Sequence, residues 1–245
     1  MCRLMGYVSP REVSVSEIAG PDFDQFSALS AKHGDGWGYA KVNSAQDQSL
    51  TVEVARAKES AKYLELTKSV KSTGGLLHLR WATLNLAITE GNTHPFTHGD
   101  FSFIHNGSIK PPESLDPYID SKYLEKLRGA TDSERYFYLL LSFIDTLGIH
   151  EGIHQGIKKI TAHCDFSSLN AMIMTPDMYI TISEHNYSRI PEGEGPEYYD
   201  LYYRESAEGV LVASSGWNQP GWKQIPNHHY LEVDRKSYAT KLTKF

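Results

Sequence analysis

The order of segments predicts an α+β layered architecture, not a doubly wound βαβ sheet. Gly75 to Thr83 (GLLHLRWAT) and Phe101 to Ser108 (FSFIHNGS) read as the two clearest strands. One long amphipathic helix follows, Thr131 to Leu147, and beyond it the chain reads mostly as strands in succession. Neither GxGxxG nor GxxxxGK[ST] occurs, so a nucleotide-phosphate loop has no support.

Each element has its own signal. Cys2 to Val8 is a short apolar strand, and Phe23, Phe26 and Leu29 at three-residue spacing predict a helix over about Asp22 to Lys32. In HGDGWGYA, His33 to Ala40, glycines alternate with larger residues, as in a tight turn leading into a closely packed strand. Thr51 to Ala57 alternates like a strand, and Ser60 to Ser72 is a modest amphipathic helix. The polar loop Leu84 to Gly99 is long enough to carry function. In the main helix, Tyr136, Leu139, Leu140, Phe143, Ile144 and Leu147 make one stripe. Thr131 with Glu134 is a capping-box signature that places Asp132 in the first turn. The later strands are Asn170–Thr175, Tyr179–Glu184, Tyr199–Arg204, Val210–Ser214 and Tyr230–Val233, interrupted by a Gly/Pro/Glu-rich loop, IPEGEGPEYY, expected to be mobile.

The totals exclude several function classes. With 24 Lys and Arg against 30 Asp and Glu the net charge is −6, and no basic run offers phosphates a footprint, so nucleic acid is not an expected partner. No segment approaches the roughly 20 apolar residues of a membrane span, and the polar N-terminus lacks an apolar h-region. The expectation is a cytoplasmic protein folding as one domain over residues 1–245. Its two cysteines, Cys2 and Cys164, argue against a disulfide framework or a Cys-rich zinc site. Cys164, in the polar TAHCDFSS, reads as an incidental thiol.

Cys2 stands out by position. Initiator methionine is usually removed before a small residue, and removal of Met1 would give Cys2 a free α-amine. That amine titrates at about 7.7–8.0 and a thiol at about 8.5. The amine can therefore serve as general base for the thiol of the same residue, an N-terminal nucleophile.

MCRLMGYVS, HGDGWGYA, HLRWAT, NTHPF, HNGS and TDSE occur in one order and together resemble the class II glutamine amidotransferases, which are N-terminal nucleophile hydrolases. The resemblance is dense over the first 150 or so residues and continues weakly to VASSGW, Val212 to Trp217. The Cys-Arg-Leu opening and the Asp-Gly-Trp-Gly turn look like the stand-alone subgroup, which includes γ-glutamyl hydrolases of ergothioneine synthesis and glutathione degradation. It implies a four-layer αββα sandwich of antiparallel sheets and hydrolysis of a γ-glutamyl amide through a Cys2 thioester, without cofactor or metal. Asn106 and Gly107 resemble the family's oxyanion hole, where donors are worth a few kcal/mol each. Arg80 and Asp132 resemble the pair that holds the substrate's α-carboxylate and α-ammonium. Trp81, Ala82 and Thr83 are expected as pocket wall, and His94 and His105 as groups that shape the site. Many fused relatives follow Arg-Trp-Ala-Thr with His-Gly, where this chain has Leu84-Asn85.

Each feature has a plainer reading. Arg80 could be an ordinary strand-end arginine, Asp132 a helix-dipole partner, and Asn106-Gly107 a type I′ hairpin turn. Among 11 histidines, His94, His98 and His105 with Asp35 and Asp100 could suggest a metallohydrolase, but they lack the HExxH arrangement. A degenerate, non-catalytic binding subunit is a further alternative. With no room seen for a second catalytic domain before Phe245, the expected outcome is hydrolysis of the chain's own γ-glutamyl substrate. The alternative is ammonia supplied to a separate synthase. A synthase or a second copy of the chain is the macromolecular partner considered.

Overall fold

The computed structural model describes residues 2–82 and 86–245. Its first half contains β1 (Arg3–Val13), α1 (Val15–Ala19), α2 (Pro21–Ala28), β2 (Trp37–Val42), β3 (Gln48–Glu53), α3 (Ala61–Ser69), β4 (Ser72–Leu79), β5 (Phe96–His98) and β6 (Phe101–Lys110). There follow α4 (Ser121–Leu124), α5 (Asp132–Leu147), α6 (Ile149–His163), β7 (Asp165–Met174), β8 (Met178–Ser183), β9 (Leu201–Ser206), β10 (Gly209–Ser214), β11 (Lys223–Ile225), β12 (His229–Asp234) and β13 (Thr240–Lys244).

The strands form a seven-stranded sheet, β11-β9-β10-β1-β4-β2-β3, and a six-stranded sheet, β13-β12-β8-β7-β6-β5. Neighbouring strands run antiparallel throughout. Alternation along β1 divides the layers: Leu4 and Val8 join Ile104, Met172 and Tyr179 between the sheets. Met5 and Tyr7 face the other way, against Val15, Phe23, Phe26 and Tyr63 of the α1–α3 layer. On the far side, Leu139, Leu140, Ile153 and Ile157 of α5 and α6 cover Phe103, Ile173 and Ile180. The result is the expected αββα sandwich. At Gly6 the two sheets come so close that a Cβ would meet the Tyr179 hydroxyl at 2.4 Å.

Several boundaries differ from the sequence reading for identifiable reasons. The strand expected to reach Thr83 ends at Leu79. Beyond it the Arg80 N–H donates to Gly36 O (2.8 Å), and the Ala82 N–H donates to the Asp35 carboxylate (2.8 Å). The chain after Leu79 is thus tied to the 33–36 turn instead of a neighbouring strand. Asn106-Gly107 is no hairpin: both lie inside β6, opposite Asn170 and Leu169 of β7. Thr131 caps α5 by accepting the Glu134 N–H, but the Glu134 carboxylate accepts from the Arg128 and Gly129 N–H groups of the preceding loop. The far end of the apolar stripe is open, with Leu147 45% exposed. The IPEGEGPEYY segment is tied down at its end. There Tyr198 and Tyr199 are buried, and Tyr198 O accepts from Arg3 Nη1 (3.2 Å) and Ser215 Oγ (3.0 Å). The strand reading also passed over α6 altogether.

Candidate active site

Cys2 immediately precedes β1, the central strand of the larger sheet, while Asn106 and Gly107 lie on β6 of the smaller one. Residues from the two sheets therefore converge at one end of the sandwich, around a cavity of about 30 Å³. Cys2, Arg80, Trp81 and Ala82 line it from one side, and His105, Gly107 and Asp132 from the other. The lining also includes Leu86, Asn92, His94, Thr131 and Ser133. Asp132 and Leu86 form a shared wall with a second, mostly apolar cavity of about 360 Å³. Thr83 and Met1 lie outside the described residues.

The Cys2 sulfur faces Trp81 O at 3.7 Å. Burial raises the thiol pKa most and Asp132 raises it further, whereas the Arg80 charge and a backbone hydrogen bond of Trp81 lower it. Arg80 is 3% exposed. Its Nη2 donates to Ala87 O (3.1 Å), while Nη1 is buried without a partner among the described residues. Asp132, the first residue of α5, accepts from Ile109 N (2.6 Å) and Ser133 N (2.9 Å), so the helix start fixes its carboxylate toward β6. Gly107 is dictated by space, since a Cβ would fall 1.7 Å from Ser168 O. Asn106 is fully buried, yet among the described residues neither its Oδ1 nor its Nδ2 has a partner. Asn106 does not itself line the cavity, but buried side-chain amides are normally paired, so an unmet one next in sequence to the cavity-lining Gly107 suits a group that binds a transient charge.

Histidines fill the floor. His105 Nε2 faces the Ser168 carbonyl (3.0 Å), which can only accept, so that nitrogen carries the proton and Nδ1 accepts from Ser133 Oγ (2.9 Å). The rings of His78 and His94 stack at 4.2 Å. Burial drives the pKa of all three downward, for His78 to about 3. They are neutral at pH 7. Among the described residues no three His, Cys, Asp or Glu side chains gather as a metal site. His98, one of the histidines that raised the metal reading, packs edge-on against Tyr123 and Tyr138.

Two contributors are absent from the sequence-derived site. Asp35, considered there only as a stray carboxylate, joins the 33–36 turn to the segment bearing Arg80 and Trp81 through Ala82. Asn92, the first residue of NTHPF, donates to Ala87 O (3.0 Å) and accepts the Ala130 N–H (2.9 Å), joining the loop before β5 to the loop before α5. Its place in a quoted motif was the available signal. Cys164 caps the end of α6 beside Ser114 and is not part of the cavity.

Among the described residues no helix is long and apolar enough to cross a membrane. Residues 1–165 match the sequence profile of the class-II glutamine amidotransferases. The chain is 29% identical over 168 residues to the probable glutamine amidotransferase DUG3 of Saccharomyces cerevisiae, covering 60% of this chain and 47% of that protein. It is 30% identical over 141 residues to a glutamine–fructose-6-phosphate aminotransferase of Aliivibrio fischeri, covering 57% of this chain and 22% of that one. The chain thus spans less than half the length of these relatives. A glutamine aminotransferase class-II domain protein from Silicibacter pomeroyi shares the fold, with TM-score 0.71 and 19% identity over 100% of this chain and 99% of that chain.

Proposed function

Because the chain belongs to the class-II glutamine amidotransferases, we propose that it hydrolyses a γ-glutamyl amide on Cys2, releasing glutamate and ammonia or an amine. The observation that carries this reading is a single cavity bordered by a thiol, a carboxylate and a guanidinium with one nitrogen unpartnered among the described residues, with the buried, likewise unpartnered amide of Asn106 next in sequence to the cavity-lining Gly107. A γ-glutamyl group offers the matching set: a carboxylate for Arg80, an ammonium for Asp132 and a carbonyl for Cys2. The Cys2 α-amine, freed by loss of Met1, takes the thiol proton. The sulfur adds to the γ-carbonyl, and the resulting oxyanion is held by Asn106 Nδ2 and the Gly107 N–H. Collapse expels the amine with a proton and leaves a thioester, which water hydrolyses. Trp81 and His105 serve as walls.

A second reading, delivery of ammonia to a separate synthase, draws support from the Aliivibrio relative, an aminotransferase matched over only 22% of its length. One experiment addresses both. A panel of γ-glutamyl amides is incubated with the protein, and released glutamate and amine are quantified. Cys2→Ala is expected to abolish release, with Cys164→Ala near wild type. Turnover confined to glutamine and stimulated by a partner enzyme would favour the synthase reading. Turnover that survives Cys2→Ala would end both.

A further inference from the structure

His94 is the cavity-lining histidine to which no role falls in the scheme above. It is 4% exposed, and among the described residues neither Nδ1 nor Nε2 has a hydrogen-bond partner. Its ring is gripped between His78 at 4.2 Å and Phe96 at 4.6 Å. Its backbone is equally confined: a Cβ on Gly38 would sit 2.1 Å from His94 O, so this glycine of the HGDGWG run admits the histidine. The imidazole is thus closely packed, while both of its nitrogens are buried with no hydrogen-bond partner among the described residues. Such an arrangement in a buried polar ring calls for a small polar guest.

Several other polar side chains lining the cavity are engaged. His105 is held at both nitrogens, Thr131 Oγ1 accepts the Glu134 N–H, and Asn92 is committed to Ala87 and Ala130. Arg80 Nη1 is also unpartnered among the described residues, and the α-carboxylate claims it under the proposed function. The cavity, about 30 Å³, exceeds the roughly 10–15 Å³ that one water requires. Burial, with His78, His105 and Arg80 nearby, keeps His94 neutral, so one nitrogen accepts and the other donates.

We infer that His94 is a positioning residue for the second half of the reaction, holding the water that attacks the thioester. This rests on the Cys2 thioester of the proposed function. The water oxygen bonds to the thioester carbonyl carbon while its proton passes to the Cys2 α-amine. The C–S bond then breaks, the sulfur leaves as thiolate and recovers that proton, and glutamate departs. His94 orients the oxygen without itself becoming charged.

The test separates acylation from deacylation. Wild type, His94→Phe and His94→Gln are mixed with glutamine, quenched during turnover and weighed intact. His94→Phe keeps the stacking ring but offers the water nothing. It is expected to accumulate protein heavier by one γ-glutamyl group and to turn over on the order of tenfold to a hundredfold more slowly. Hydroxylamine, a nucleophile in its own right, should relieve that block and yield γ-glutamyl hydroxamate. His94→Gln, which retains a donor and an acceptor, should accumulate much less adduct. Labelling of Cys2 by a glutamine-like electrophile reports that each variant keeps a formed site. Unchanged turnover without adduct in His94→Phe overturns the inference, as does equal loss of acylation in both variants. Wild-type protein that turns over and responds to hydroxylamine leaves the proposed function standing in either case. Wild type that never acylates overturns both.

Discussion

The Asp35 carboxylate accepts the Ala82 N–H at 2.8 Å, and the Asp35 N–H donates to Arg80 O at 3.0 Å, so one residue grips both ends of the Arg80–Ala82 segment. That segment carries the unpartnered guanidinium nitrogen and the carbonyl facing the Cys2 sulfur. Asp35→Ala leaves the Ala82 N–H unmet, a cost of about 1–3 kcal/mol if it stays buried. The expected kinetic result is a raised KM, with Asp35→Asn, which keeps an acceptor oxygen, recovering most of the loss. Equal KM values in the two variants would show that the carboxylate does not set the position of Arg80.

Recognition can be separated from chemistry at Asp132. Its oxygens already accept two backbone N–H groups, from Ile109 and Ser133, so Asp132→Asn keeps one acceptor oxygen but loses the charge. The variant should discriminate against γ-glutamyl amides relative to analogues lacking the α-amine, and Arg80→Lys should weaken both because a bidentate fork is lost. Asn106→Ala should instead lower kcat by about 10² or more. Measuring kcat and KM for all three on one substrate pair decides the matter. An Asp132→Asn enzyme that treats both analogues alike would remove the basis for ammonium binding.

Helix α6 tests packing alone. A Cβ on Gly152 would lie 2.6 Å from Ile144 Cα, and one on Gly156 would lie 2.7 Å from Leu140 Cδ2. In an exposed helix Gly→Ala stabilises by about 1 kcal/mol. Here Gly152→Ala presses on the α5 backbone and should destabilise, whereas Gly156→Ala meets a movable leucine tip and should cost less. Urea midpoints for the two variants provide the comparison, and a stabilised Gly152→Ala would contradict the close helix contact.

The same helix marks the limit of what the sequence makes legible. Ile149, Ile153, Ile157 and Ile160 are spaced for one face, but the two glycines between them lower the helix-propensity sum. The glycines make sense only once α5 is seen packed against them. Elsewhere the motifs marked residues that the fold gathers around one cavity, because Cys2, Arg80, Gly107 and Asp132 are each punctuated by neighbours with strong local signals. Asp35 and His94 were harder to read. Their roles depend on what a distant segment presents, Ala82 in one case and Gly38 with His78 in the other. Where the β4 strand ends was hidden for the same reason: the hydrogen bonds beyond Leu79 go to a turn some 45 residues earlier in the chain.

The buried histidines predict an acid-labile fold. His78, His94, His105 and His185 all have pKa values pushed below the usual 6.5, mainly by burial, to about 3 for His78 and about 4 for His185. The folded state holds them neutral, while the unfolded chain takes up their protons once the pH drops below about 6.5. Their contribution to stability is therefore complete above that pH and is lost as the pH falls toward the folded-state values. Each such histidine contributes a slope approaching about 1.4 kcal/mol per pH unit. Glu184 and Asp200 act in the opposite sense, because burial raises their pKa values and ionising them costs stability as the pH rises. Because these carboxyls push stability up as the pH falls, a net fall below pH 6.5 is the histidines' signature. Urea unfolding at half-unit steps from pH 7.5 to 5.5 should show a steady fall below pH 6.5. His78→Phe should fall less steeply by one proton's worth. A free energy of unfolding that stays flat across the interval would mean that these rings are not held neutral by burial.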